Sequence, residues 1–171
     1  MSATQTRERC KWCEEDPLLI QYHDEEWGER VTDDDLLFEA LTLEIFQAGL
    51  SWRTILHKRE NFRNAFEGLE IARVADFGPD KVEELLQDKG IVRHRRKIEA
   101  TIENAKTAQS LIKREGSLSH FFTSLPEAKI DKQKIIKKTF RHVGLTTAES
   151  FLQAAGFIGI DHDHTCYLYK R

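Results

Sequence analysis

The chain has 171 residues, 40% hydrophobic and 32% charged, with a formal net charge of −3. That balance excludes a disordered chain, and the length suffices to bury a core without disulfide staples. No stretch approaches the ~20 apolar residues a membrane span needs, and the opening MSATQTRERCKW has no apolar signal core, so a cytoplasmic protein that stays out of the membrane is expected. In chain order, Thr32 with Asp35 three residues on reads as a variant capping box. Leu36, Leu37, Phe38, Leu41, Ile45 and Ala48 then recur at helical spacing up to a Gly49 stop. A second helix is predicted over Ser51–Phe66, with Trp52, Ile55, Leu56, Phe62 and Phe66 on its apolar side. Asp80–Gln87 reads as a short helix entered through Pro79, and a long basic helix runs from Arg93 to Arg114. Helices at 118–124, 131–142 and 146–155 complete the set. With period-2 Val and Thr runs scarce and no repeat or Gly/Ser/Pro linker, the reading is an all-α chain forming one domain over residues 1–171.

The charges are segregated. Residues 14–35 carry ten acidic side chains and one basic one, whereas 89–114 carry eight Lys or Arg and 129–141 six more. A polyanion would be drawn to that basic middle; the plainer account is a solvated helix face balanced by Glu99 and Glu103. Within it, 83–105 reads as helix, tight Gly90 turn, basic helix. In a helix-hairpin-helix, turn N–H groups and the second helix's N-terminus face a phosphate. Gly90 would allow close approach, with Arg93, Arg95, Arg96 and Lys97 adding charge. A glycine at any helical corner would look the same.

The three cysteines, Cys10, Cys13 and Cys166, cannot all pair within the chain. In a reducing compartment such thiols are free or metal-bound. Cys10 and His23 lie near one end, and His162 and Cys166, four apart, near the other; two Cys and two His make a tetrahedral zinc set. Cys13 and His164 are rival ligands, and buried free thiols are the plainer alternative. All three tryptophans, Trp12, Trp27 and Trp52, fall in the first third of the chain, with Tyr22 among them and Glu44 between Trp27 and Trp52. Stacking faces plus one carboxylate suit a pocket for a flat, electron-poor base. The same rings could equally be core.

Larger blocks carry a resemblance. Glu8-Arg9-Cys10-x-Trp12, Tyr22-His23-Asp24-x-Glu26-Trp27-Gly28 and Leu43-Glu44-x-Phe46-Gln47-Ala48-Gly49-Leu50-Ser51-Trp52 are similar to signature blocks of the 3-methyladenine DNA glycosylase I family. So are Gly90-Ile91-Val92-Arg93-His94-Arg95-x-Lys97-Ile98, Phe151-Leu152-Gln153-Ala154 and Asp161-His162-x-x-x-Cys166. Together they span roughly residues 8–167. The resemblance implies an all-α, helix-hairpin-helix glycosylase-like bundle whose termini are joined by a structural zinc on Cys10, His23, His162 and Cys166. It implies a base pocket of Trp12, Tyr22, Glu44 and Trp52, with Trp27 beside it and Glu44 as the catalytic carboxylate. The implied substrate is double-stranded DNA with alkylated adenine, the product free 3-methyladenine, and the enzyme a monofunctional monomer.

N3-methyladenine is cationic and already a good leaving group, so strong acid catalysis is not required. Many helix-hairpin-helix glycosylases place an aspartate downstream of the hairpin; no Asp stands between Lys89 and Ile130 here, and the resembled family likewise lacks it. Catalysis is then expected from flipping the nucleotide and holding the base between rings, with Glu44 in support. The chain departs from the family pattern in three places. Ser117–Thr139 is short and holds no Trp, Ile45 stands where relatives carry Gly, and Glu149 replaces a Tyr. Ile45 is expected to narrow the pocket or shift its helix. A non-cleaving homologue that binds DNA or a methylated base, and a zinc-stapled interaction module with its tryptophans packed together, are the alternatives.

Overall fold

The computed structural model describes residues 7–13 and 15–170, so the outer limits of a 1–171 domain, and Glu14, lie outside the described residues. Every regular element among them is helical: α1 Pro17–Glu25, α2 Asp34–Gln47, α3 Trp52–His57, α4 Arg59–Ala65, α5 Ile71–Ala75, α6 Pro79–Leu85, α7 Arg95–Glu115, α8 Leu118–Thr123, α9 Lys129–Thr139 and α10 Leu145–Ala154, with 3-10 turns at Lys11–Cys13 and Glu67–Leu69. No helix among them is long and apolar enough to cross a membrane.

The helix α2 is the axis of the fold. Residues 37–39 and 41–46 are all buried, and α3, α5, α7, α8 and α10 pack around it. The enclosed stretch is the middle of the helix, and polar side chains meet the free groups at its two ends. Asp33 caps its start by accepting from Leu36 N–H, and the Lys97 ammonium of α7 donates to the Phe46 and Ala48 carbonyls at its end, at 3.2 and 2.9 Å. The expected Thr32–Asp35 capping box is not formed. Asp35 instead accepts from Ile71 N–H at the start of α5, and Asp34 from Leu118 N–H at the start of α8. Adjacent carboxylates on α2 thus cap two other helices, which local spacing does not reveal.

Three further differences from the sequence reading have physical causes. The predicted Ser51–Phe66 helix is two, α3 and α4, broken at Lys58, whose ψ of −2° leaves the helical range. The helix α1 was not anticipated, although Asp16-Pro17 is a start signal: Asp16 accepts from Leu18 and Leu19 N–H, and proline takes the first position. Finally, α6 and α7 are joined by the irregular residues 86–94 and not by a tight glycine turn. A closely packed helix pair is α9–α10, linked through Phe140–Gly144 and tied by Gln133 Nε2 donating to the Leu145 carbonyl at 3.0 Å.

A second, smaller cluster gathers the chain ends: Cys10, Cys13, Leu19, Tyr22, Leu56 and Cys166, with Trp12, Trp27 and Trp52 packed on it. Backbone bonds knit the ends together, Tyr167 N–H to the Glu8 carbonyl and Lys11 N–H to the Asp163 carboxylate. The 26–31 loop, which carries Trp27, is laid along the end of α10 by Gly28 N–H to Ala154 and Val31 N–H to Ala155. Gly156 makes that approach possible: its φ is +81°, and a Cβ there would fall 2.7 Å from Arg30 backbone.

Candidate active site

Where the two clusters meet, a cavity of about 400 Å³ opens between α1, α2, α3 and α10. Trp12, Tyr22, Trp27, Glu44 and Trp52 all line it. The rings are not jammed together. Tyr22 meets Trp52 at 5.2 Å between ring centroids, tilted by 49°, and Trp12 edge-on at 6.1 Å. Trp12 and Trp52 form no ring pair with one another among the described residues, leaving a slot between them. Gln47, Ser51, Arg53, Ser150 and Gln153 complete the lining and were not anticipated as site residues. Gln153 falls in the Phe151–Ala154 block of the resemblance, whereas for Ser150 the local signal is its i, i+3 placement with Gln153 on one face of α10, which does not say what that face meets.

Glu44 is the chemically unusual group. It is 7% exposed and accepts no hydrogen bond from any described residue. Burial pushes its carboxyl up to about 7. Burial also raises the Tyr22 hydroxyl, with the charge of Glu44 acting the same way, so the phenol keeps its proton. Next to them Trp52 Nε1–H is buried without a partner. Buried polar groups are almost always paired; an unpaired carboxyl with a shifted pKa in a concave aromatic slot marks a place where a ligand supplies the partner. Ile45, on the far side of the helix, is 1% exposed in the main core and does not line the cavity, so it does not narrow it. Glu149 is turned to α9, where it pairs with Lys129 at 3.0 Å.

Cys10, His23, His162 and Cys166 converge beside the slot, their ligand atoms all within 4.8 Å of one another. Cys10 Sγ lies 3.4 Å from His162 Nδ1, and Cys166 Sγ lies 3.6 Å from both His162 Nδ1 and His23 Nε2. Tetrahedral zinc with the usual Zn–S and Zn–N lengths sets neighbouring ligand atoms about 3.4–3.8 Å apart, so the donor set fits a metal of that size. His23 presents Nε2 because its Nδ1 is held by Asp24 at 2.8 Å, and Arg9 grips the same carboxylate. Burial works against that carboxylate's charge, but Arg9 and His23 outweigh it and hold Asp24 down at about 2. Such an outer carboxylate orients a histidine ligand. Cys13 and His164 stand outside the cluster. The cluster also builds the slot: Trp27 stacks on His23 at 5.9 Å and 29°, and Trp12 meets the same imidazole edge-on at 5.5 Å.

The basic segment is divided. Arg93 and Arg96 are exposed, with no ion-pair partner among the described residues, and Arg95 is exposed but bound to Glu83 at 2.7 Å. Lys97 does not face outward as expected; it is 6% exposed and spent on the α2 carbonyls, and burial lowers its pKa. Gly90 does not offer its N–H to an external anion either. That N–H donates to Asp88 at 2.8 Å, and a Cβ at Gly90 would press on Asn61 at 3.1 Å, so the glycine serves packing against α4.

Comparison with known proteins follows the same lines. Residues 12–169 match the family model described as methyladenine glycosylase. The chain is 40% identical over 182 aligned residues to DNA-3-methyladenine glycosylase 1 of Escherichia coli (strain K12), covering 95% of this chain and 97% of that protein. Among solved structures it is similar to 3-methyladenine DNA glycosylase I at a TM-score of 0.86 and 39% identity, covering 95% of this chain and 100% of that one. It is also similar to a Tyr-to-Phe variant of 3-methyladenine DNA glycosylase I in complex with 3-methyladenine, at a TM-score of 0.84 and 30% identity, covering 95% and 98%.

Proposed function

The chain belongs to the methyladenine glycosylase family, and from that premise we propose that it hydrolyses the N-glycosidic bond of N3-methyladenine in alkylated double-stranded DNA. The observation that carries this reading is the unpaired, buried Glu44 carboxyl at the wall of an aromatic slot. The slot cannot reach a base inside a duplex, so the nucleotide is flipped out, at a cost of a few kcal/mol that is least for a damaged base. Trp12, Trp27 and Trp52 stack on the extruded purine, and Glu44 accepts its N–H groups and offsets its positive charge. A cation entering the slot favours the ionised form of a carboxyl held near 7. Neutral adenine lacks that attraction, which gives selectivity for the lesion.

Water adds at the sugar C1′ and gives up a proton to solvent as the bond breaks, and the bonding electron pair returns to the purine and cancels its charge. Everything gained between the free duplex and the transition state raises kcat/KM, including the stacking that holds the flipped state. No lysine among the described residues lines the slot, which supports a monofunctional enzyme without a lyase step. Leu50, 40% exposed on the Gly49 turn (φ +85°) and next in sequence to Ser51 of the slot lining, would serve to fill the vacated base stack. Arg93 and Arg96 supply phosphate contacts from the start of α7. Cys10, His23, His162 and Cys166 hold a structural zinc, which when bound supplies cross-linking and no reaction chemistry, because four protein ligands leave no open position. The protein acts as a monomer built of a single domain.

The test is release of free N3-methyladenine from alkylated duplex DNA by the purified protein, with Glu44→Gln slower by roughly 10²-fold or more. Tight binding of free 3-methyladenine without any release would select the non-cleaving alternative. The packed-tryptophan alternative requires a closed slot, and the cavity is open.

A further inference from the structure

We propose that Arg53 grips a phosphate flanking the flipped nucleotide at the mouth of the slot, through the two terminal nitrogens of its guanidinium. This rests on the DNA-glycosylase reading above and adds to it a strand contact outside the basic segment that the motifs single out.

Among the described residues that line the slot, Arg53 of α3 is the one cationic side chain. Its side chain is 61% exposed, whereas Glu44 in the same cavity is 7% exposed, so Arg53 belongs to the rim and Glu44 to the depth. A base seated against Glu44 leaves its sugar and the two neighbouring phosphates at the rim, because they remain part of the strand. The guanidinium is also free to bind there. Its Nε–H donates to Asp16 Oδ2 at 2.9 Å, and neither terminal nitrogen has a hydrogen-bond partner among the described residues. The N–H groups left on those two nitrogens form the planar fork that grips a phosphate bidentately. The arginines of α4 differ. Arg59 spends both terminal nitrogens on Glu26, at 2.9 and 3.1 Å, and Arg63 spends its own on Glu39 and Glu60.

Asp16 is a firm anchor for this side chain. Its Oδ1 accepts from Leu18 N–H at 2.9 Å at the start of α1, and His57 Nε2 lies 2.6 Å from the same Oδ2 that holds Arg53. His57 above all, joined by Arg53 and the α1 N–H groups, outweighs burial and holds the Asp16 carboxyl down at about 2, so it keeps its charge. The pairing decides how Arg53 acts. Seen from a distance the two charges nearly cancel, so Arg53 neither steers DNA from afar nor repels a cationic purine entering the slot. Its contribution is short-range bonding to an anion that arrives beside it. A guanidinium already held at Nε has less freedom to lose on binding than a loose one. Because the side chain is mostly exposed, its removal should leave the fold intact.

The experiment pairs a change in the protein with a change in the DNA. Duplexes carrying one abasic-site analogue are made with a normal backbone, or with a neutral methylphosphonate on one side of the analogue or the other. Wild type, Arg53→Ala, Arg53→Gln and Arg93→Ala are compared by duplex affinity, and by affinity for free 3-methyladenine through tryptophan fluorescence. Arg53→Gln keeps much of the side-chain length while dropping the charge and the fork, which covers failure of the alanine variant to fold. Both Arg53 variants should bind the normal duplex roughly tenfold more weakly, with free-base affinity unchanged. Neutralising one of the two phosphates should cost wild type a similar factor and cost the Arg53 variants nothing more, while Arg93→Ala still loses that factor in full. Additive losses at both phosphates overturn the proposal, as does an unchanged duplex affinity in both Arg53 variants. A fall in free-base affinity alongside duplex affinity in both variants overturns it too, since Arg53 would then serve the base or the fold. Any of these results in a wild type that binds the duplex removes this contact alone. A wild type that binds free base and not the duplex would overturn the glycosylase reading itself.

Discussion

The aromatic slot and the exposed arginines treat charge in opposite ways. In the slot a single carboxyl, Glu44, is withdrawn from water and left unpaired, so its charge is costly and strongly felt at short range. On the outer face Arg93 and Arg96 are solvated, and each acts weakly, in numbers, and under control of salt. The first arrangement suits recognition of one planar cation; the second suits a long polyanion whose sequence is immaterial. The comparison also shows that a basic residue in the right segment need not belong to the second group. Lys97 stands among the arginines in sequence but caps α2, the helix that carries Glu44 and Gln47.

That contrast can be broken or sharpened by experiment, beginning with the largest effect. Cys166→Ser should abolish bound zinc, while Cys13→Ser should retain one ion per chain by metal analysis. The loss removes a binding free energy of ~10 kcal/mol or more from the folded state. It should also weaken free 3-methyladenine binding, because Trp12 and Trp27 lean on His23. Equal metal loss in both variants would shift the site to Cys10 and Cys13.

Glu44→Gln should cut excision by roughly 10²–10³-fold and yet make the protein more stable at pH 8. The folded carboxyl titrates at about 7 against an ordinary value of 4.5. Between those values the folded state holds more protons than the unfolded one, so stability falls as pH rises through the window. The accumulated loss above pH 7 is on the order of 3 kcal/mol, which the neutral glutamine does not incur. Denaturant melts at pH 4 and pH 8 measure this, and a variant no more stable at pH 8 than wild type would remove the buried-charge argument.

Trp52→Ala should weaken free-base binding by ~1–3 kcal/mol with little change in the salt dependence of DNA binding. Lys97→Met should lower stability by ~1–3 kcal/mol, because two carbonyls at the end of α2 lose their donor, while leaving the salt slope intact. Arg93→Ala should do the reverse, lowering the slope by about one with stability unchanged. If Lys97→Met also lowered the slope, the division between the two regions would not hold.

The slot was largely legible because its rings and carboxylate sit in blocks close together in the chain, on elements whose apolar spacing is helical. Trp12, Tyr22, Trp27, Glu44 and Trp52 were all named from those blocks, and all line one cavity. The exposed arginines were legible only as a segment. Gly90 turned out to pack on Asn61, Lys97 to bond α2, and Arg95 to pair with Glu83, because side chains of one helix point to different neighbours. Ser150 and Gln153 reach the slot from α10, more than a hundred residues from Glu44; the block that holds Gln153 does not say what its face meets, and no local pattern marks Ser150.

The sequence by itself determined the helical class, the central helix and the inventory of rings, thiols and imidazoles. Those follow from residue type and from i, i+3 and i, i+4 spacing, which are properties of the chain over a few turns. Only the tertiary structure decided which polar groups are spent inside the fold and which remain for a ligand. Asp34 and Asp35 cap distant helices, Lys97 closes α2, Asn104 holds Arg141, and Glu44 alone among these is left unpaired. A hydrogen bond needs its two partners within about 3 Å, and that proximity is created by packing between segments far apart along the chain.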